Sequence, residues 1–180
     1  MKIVLATPLY PPDIAEPAPY VKELAKRLSG KHEITVVTYG RLPERVPGVR
    51  IVAVNKQNPL PFRILIYAGA LFRAALGTDV IYIQNGPSVE LPAGIVALLT
   101  RKPLIARIGD IAAHEHASKS VFRSQIEHFT FSRAKKIITD SPIQKVEILP
   151  LEPRPVHAIE EYDKSWETHL KKLEDTLKHV

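Results

Sequence analysis

Two periodicities of apolar and polar positions alternate along this chain. Lys2-Ile-Val-Leu-Ala-Thr7 is a short apolar run, suited to a strand buried on both faces. A Pro-rich loop, Pro8–Pro17, separates it from Val21, Leu24, Ala25 and Leu28, which recur at helical spacing and give one apolar face. Pro19 suits the first turn of that helix and Gly30 its end. Glu33–Thr38 returns to strand, so the first forty residues predict a strand–helix–strand unit. Further strands are predicted over Val49–Val54, Asp79–Gln84, Pro103–Ile108 and Lys136–Thr139. Helices are predicted over Pro61–Leu76, closed by Gly77, from a Ser88 cap to about Thr100, and near Ser120–Ala134.

Strands alternating with helices predict an α/β fold: a Rossmann-like, doubly wound, mostly parallel sheet of about six strands with right-handed crossovers. In such sheets ligands bind beyond the carboxyl ends of the strands, where the loop after the first strand lies. The tail is built differently. Pro150, Pro153 and Pro155 predict an extended linker. Beyond it Trp166, Leu170, Leu173, Leu177 and Val180 step by four, three, four and three. The opposite face is charged, with Lys171, Lys172, Glu174, Asp175 and Lys178. This C-terminal helix is expected to pack back on the sheet. The expected organisation is a domain over 1–148, a linker over 149–162 and the docked helix over 163–180.

Two stretches raise the question of a membrane. Ile64–Phe72 is uncharged between Arg63 and Arg73, and Val89–Thr100 has Glu90 as its sole charge. A spanning helix needs about 20 apolar residues, so both are expected to pack on the sheet. On a helix Arg63 and Arg73 lie roughly 80° apart. They can mark an edge that meets water or lipid headgroups, which leaves a peripheral membrane contact open.

Composition narrows the chemistry. The chain has 180 residues, no cysteine and a formal net charge of +6. Disulfides, thiolate nucleophiles and cysteine metal sites are thereby excluded. A basic balance favours anionic partners or is simply a solvated surface. No aromatic residues interleave with Arg133, Lys135 and Lys136, so nucleic acid is not expected as a partner. None of the eight glycines forms Gly-x-Gly, and no Walker loop is present. The apolar run after Lys2 is too short for a secretory signal, so a cytoplasmic setting is expected, with a membrane-peripheral one as the alternative. Low counts of Cys and Met hint at a heat-adapted source.

The residues Lys2–Ile14, Tyr20–Leu28 and His32–Thr38 resemble the amino-terminal, acceptor-side domain of family-4-like retaining glycosyltransferases of the GT-B fold. Members place two glycines after the Pro-Pro-Asp-Ile segment, where this chain reads Ala15-Glu16-Pro17. Glu16 adds a negative charge there and Pro17 removes a donor. The resemblance implies that Pro12, Asp13, Ile14 and Glu16 border the substrate. Ser165–Glu174 is similar to the family's last helix, which returns from the second domain onto the first. That second, donor-binding domain is missing between Ser141 and the helix. The family's donor signature is two glutamates separated by seven residues. Glu152 and Glu160 have this spacing, but Pro153 and Pro155 between them make it a coincidence.

Gly109-Asp110-Ile-Ala-Ala-His-Glu-His116 follows the fifth strand on the ligand edge. By resemblance, polar residues of this loop face the acceptor and the bond being made. Asp110 and His114 are the catalytic candidates, since a carboxylate or imidazole can orient or deprotonate an acceptor hydroxyl. Gly109 and His116 are expected beside them. The competing readings of this loop are a solvated helix cap with surface histidines and a metal site at Asp110, His114 and His116. Gln84, Asn85 and Gly86 follow the fourth strand. Their amides suit sugar hydroxyls, and their sequence equally suits a simple turn. Ser141 lies near the family's domain hinge and has no recognisable histidine to activate it.

The expected function is therefore an acceptor-binding half of a glycosyltransferase. Its acceptor would be a sugar or lipid-linked molecule, and a separate chain would supply the donor-binding half. No cofactor or metal is expected. The alternatives are a non-catalytic binding or scaffold protein that kept the fold, and an isolated or engineered domain of a larger enzyme.

Overall fold

The computed structural model describes residues 1–109, 119–139, 156–158 and 166–179. Seven strands form one parallel sheet: β1 (Lys2–Thr7), β2 (Glu33–Tyr39), β3 (Val49–Val54), β4 (Val80–Gln84), β5 (Leu104–Ile108), β6 (Ala134–Thr139) and β7 (Val156–Ala158). Their spatial order is β3-β2-β1-β4-β5-β6-β7, the doubly wound arrangement with one added edge strand. The extra strand β7 lies in the stretch read as linker and pairs with β6 through Ile137↔Val156. Three residues are too few for alternation to be read in sequence, so the pattern did not reveal it.

Among the described residues five helices cover the two faces: α1 (Ala18–Leu28), α2 (Leu60–Leu76), α3 (Pro87–Thr100), α4 (Val121–Phe131) and α5 (Trp166–Lys178). Strand side chains alternate between the faces. Val4, Ala6, Ile81, Ile83, Leu104 and Ala106 join α2, α3 and Phe131 of α4 in one core. Ile3, Leu5, Val80, Tyr82 and Ile105 join α1 and α5 in the other. The last helix docks as its stripe predicts. Leu173 and Leu177 are buried against the α1 layer, with Trp166 and Leu170 packed on it. Glu174 adds an ion pair to Lys31 at 3.1 Å. Val180 lies outside the described residues.

The start of α3 differs from the sequence reading. Ser88 is not its cap: the helix begins at Pro87, after Gly86 at φ 146°. Glu90, fully buried in the first turn, accepts the Gly86 N–H at 2.8 Å through Oε1. A carboxylate is favoured at this position because it meets the positive end of the helix. Pro92 sits inside α3 and lacks the N–H that would reach the carbonyl of Ser88. The Tyr39 hydroxyl donates to that carbonyl instead, at 2.8 Å. Tyr39 in turn stacks on Tyr67, whose hydroxyl donates to the Val37 carbonyl at 2.9 Å. The polar tip of Tyr39 thus satisfies a carbonyl that Pro92 leaves without its helical partner.

Candidate functional site

The strand order reverses between β1 and β4, so the loops following these two strands flank the switch point. They touch. A Cβ added at Gly86 would meet Pro8 Cγ at 3.4 Å. Along the first loop, Pro12, Ile14 and Glu16 are exposed, with Ile14 92% accessible. Asp13 is partly covered and ion-paired with Lys56, which follows β3. The Lys56 carbonyl accepts from Arg63 Nη1 at 2.9 Å, so the loops after β1 and β3 are tied to the start of α2. Tyr10, at the loop's base, is buried, and burial pushes its hydroxyl up to about 12, Glu44 adding to the effect.

The loop after β4 is more enclosed. Gln84 and Asn85 are 1% and 3% exposed, which makes them part of the sheet's end rather than a free surface. Gln84 Oε1 accepts from Arg107 Nη1 at 2.6 Å. Asn85 donates its backbone N–H to the Arg107 carbonyl at 2.9 Å and accepts from the Gly109 N–H, at 3.1 Å, through Oδ1. The amides expected to meet sugar hydroxyls therefore clamp β4 to β5. Gln84 Nε2 is the exception: it is buried without a hydrogen-bond partner and keeps a donor to give.

Arg107 is the residue that sequence reasoning missed. It is 2% exposed, its guanidinium lies 3.6 Å from the Tyr20 ring centroid, and Gln84 holds one of its nitrogens. Gly109 gives it room, since a Cβ there would sit 2.3 Å from Arg107 Nη1. Beneath it Tyr20 connects the sheet to the last helix. The Tyr20 hydroxyl is 3.1 Å from that of Tyr82 and 3.0 Å from His169 Nε2 on α5. A signal existed: Arg107 is the one charged residue in an otherwise apolar strand, and a buried charge needs partners. Glu90, the sole charge of its stretch, gave the same signal.

Asp110, His114, His116 and Ser141 lie outside the described residues, as do Glu152 and Glu160. Among the described residues no group of three or more His, Cys, Asp or Glu is arranged to hold a metal ion. No described helix is long and apolar enough to cross a membrane.

A family profile described as a glycosyl transferase 4-like domain matches residues 16–159, most of the chain. The chain belongs to this glycosyl transferase 4-like family. Among curated proteins no sequence matches it significantly. In fold the domain is similar to a sucrose-phosphate synthase chain of Thermosynechococcus elongatus, designated 27_220_406_426. The TM-score is 0.72 at 13% identity, with 98% of each chain covered. It is also similar to Anabaena Alr3699/HepE in complex with UDP and glucose, at TM-score 0.60 and 18% identity, over 98% of this chain and 50% of that one. The N-terminal domain of Candida albicans trehalose-6-phosphate phosphatase is a more distant likeness, at TM-score 0.53 and 12% identity, over 78% of this chain and 40% of that one. The glycosyl transferase 4-like domain thus spans about half the length of the HepE chain it matches.

Proposed function

We propose that this glycosyl transferase 4-like domain is the acceptor-binding half of a glycosyltransferase, and that a separate polypeptide supplies the half that binds the nucleotide sugar. One observation carries this reading. Only residues 140–165, 26 in number, lie between the end of β6 and the start of α5, yet α5 already docks on the first domain's sheet. A domain needs about 50 residues at least, so no second αβ layer fits in that interval. HepE is described with UDP and glucose, so the donor in our reading is a nucleoside diphosphate sugar held by the other half.

In this reading the acceptor lies across the carboxyl ends of β1, β4 and β5. Asp110 or His114, just past β5, orients the acceptor hydroxyl or takes its proton. Pro12, Ile14 and Glu16 form the exposed rim. A non-catalytic binding role is the second reading, favoured by Glu16 and Pro17 standing where the resemblance calls for two glycines.

The test is co-purification of the tagged chain, followed by assay with UDP-glucose. The expected result is a captured nucleotide-sugar-binding chain, with no turnover by the lone chain and transfer by the pair. Asp110→Ala should abolish transfer by the pair while leaving the melting temperature unchanged. Turnover of UDP-glucose by the purified chain alone would overturn the half-enzyme reading. Capture of a donor chain without transfer to any sugar or lipid-linked acceptor would leave the binding role.

A further inference from the structure

The two helix layers have opposite surfaces. On the α1 and α5 side the outward positions are charged, among them Lys26, Arg27, Lys171, Lys172 and Asp175, as expected of helices facing water. On the other side most outward positions of α2 and α3 and the first turn of α4 are apolar, while Gln125 and His128 further along α4 are exposed and polar. Phe62, Leu65 and Ile66 of α2 are 65%, 68% and 50% exposed, Leu98 and Leu99 of α3 are 56% and 65%, and Phe122 of α4 is 69%. The inward faces of the same helices are also apolar, with Tyr67, Leu71, Val96 and Phe131 buried in the core. Helix α3 packs between α2 and α4, so these side chains belong to one continuous layer.

Scattered exposed leucines need no explanation, but an apolar layer confined to one face does. The charge pattern identifies its occupant. Arg73 and Arg123 are the exposed ions of these three helices, and Arg101 and Lys119 flank α3 and α4. Both carboxylates of the layer, Glu90 and Glu127, are buried at 0% and 7% exposure. Docking onto a second copy would set Arg73 and Arg123 near their counterparts, with no exposed carboxylate among the described residues of these three helices to answer them. A nucleotide-sugar half would meet the carboxyl ends of the strands, not the outside of the helix layer. Apolar side chains ringed by cations instead complement an apolar interior beneath anionic headgroups. Because no described helix can span a bilayer, such contact is in the plane of the interface.

We infer that the outer face of α2, α3 and α4 is a docking surface for an anionic lipid bilayer. This does not rest on the sugar-transfer reading, since vesicle binding needs no donor half.

The test is co-sedimentation with vesicles of phosphatidylcholine plus phosphatidylglycerol, against phosphatidylcholine alone, at low and high salt. The chain should sediment with the anionic vesicles and be released by salt, because surface charges are screened. Leu65→Glu combined with Leu99→Glu should reduce the bound fraction more than about tenfold, as two apolar contacts are lost. Arg73→Gln should reduce it about fivefold, one cation's share at an anionic surface. All three positions are outward-facing, and unchanged thermal melts confirm folding. Absence of binding to anionic vesicles overturns the inference, as does undiminished binding by the folded Leu65→Glu, Leu99→Glu variant. So does a self-associated state that this variant dissolves while vesicles remain unbound.

Discussion

The guanidinium of Arg107 lies 3.6 Å from the centroid of the Tyr20 ring, fastening the end of β5 to α1 in a place water scarcely reaches. A desolvated cation–π contact stabilises by about 2 kcal/mol, and a hydrogen bond from a charged donor by about 1.5. Arg107→Met keeps most of the stem volume while removing both, and should lower unfolding stability by about 3 kcal/mol in urea titrations. Arg107→Lys should recover less than half of this, because an ammonium cannot lie flat on the ring while reaching Gln84. A double-mutant cycle with Tyr20→Leu isolates the stacking energy, expected near 1–2 kcal/mol. Coupling of a few tenths would refute it.

Gly109 follows from the same arrangement. An alanine Cβ would sit 2.3 Å from Arg107 Nη1 and 2.6 Å from its Cζ. That side chain is held by Tyr20 and Gln84, so it cannot swing aside without giving up both contacts. Gly109→Ala should therefore destabilise by about 1–3 kcal/mol. In an Arg107→Met background the penalty should fall sharply, since the flexible methionine can yield. Equal penalties in the two backgrounds, measured by chemical denaturation, would place the clash elsewhere.

How much of this was readable beforehand depended on whether a feature is local. Strand and helix positions followed from apolar period, and Gly77 ended α2 where the sequence placed it. Leu173 and Leu177 announced a docked face by spacing alone. The clamp at the sheet's end was not local. Gln84 and Arg107 are 23 positions apart and meet because parallel pairing sets them opposite each other. Asp13 and Lys56 meet for a similar reason, across three strand ends. Gln84 and Asn85 were therefore named for their chemistry, while their engagement with β5 required the register. Ser88 was read as a cap because its residue type is common there, yet the buried Glu90 carboxylate took that role.

Gly86 joins the two loops at the switch point at φ 146°, ψ 125°, a conformation that L side chains rarely adopt. Gly86→Ala should cost about 1–3 kcal/mol through backbone strain alone. The Pro8 contact at 3.4 Å adds little by comparison. Glu90→Gln retains an acceptor for the Gly86 N–H but loses the charge at the helix start, so it should be milder than Glu90→Ala. Thermal melts of the three variants give this ranking directly. A Gly86→Ala protein as stable as the parent would mean that the loop can relax.

Three tyrosines predict how the fold fails in alkali. Burial pushes Tyr10 and Tyr39 up to about 12, and Tyr67 well above its ordinary value of 10. Arg63 and the bond to Ser88 partly oppose the effect at Tyr39, as does the contact with the Thr7 carbonyl at Tyr67. In each case the folded state keeps a proton that the unfolded chain releases. The favourable difference is intact below pH 10 and disappears as pH rises from 10 toward 12. Each such group steepens the loss by up to about 1.4 kcal/mol per pH unit. Tyrosinate absorbance from these side chains should therefore appear together with the loss of circular dichroism. Tyr67→Phe should flatten the fall in urea-unfolding free energy between pH 10 and 12 by one proton's worth, even though it removes the bond to Val37 and lowers stability at neutral pH. Ionisation of all tyrosines while the ellipticity stays native would show that these hydroxyls reach solvent without unfolding.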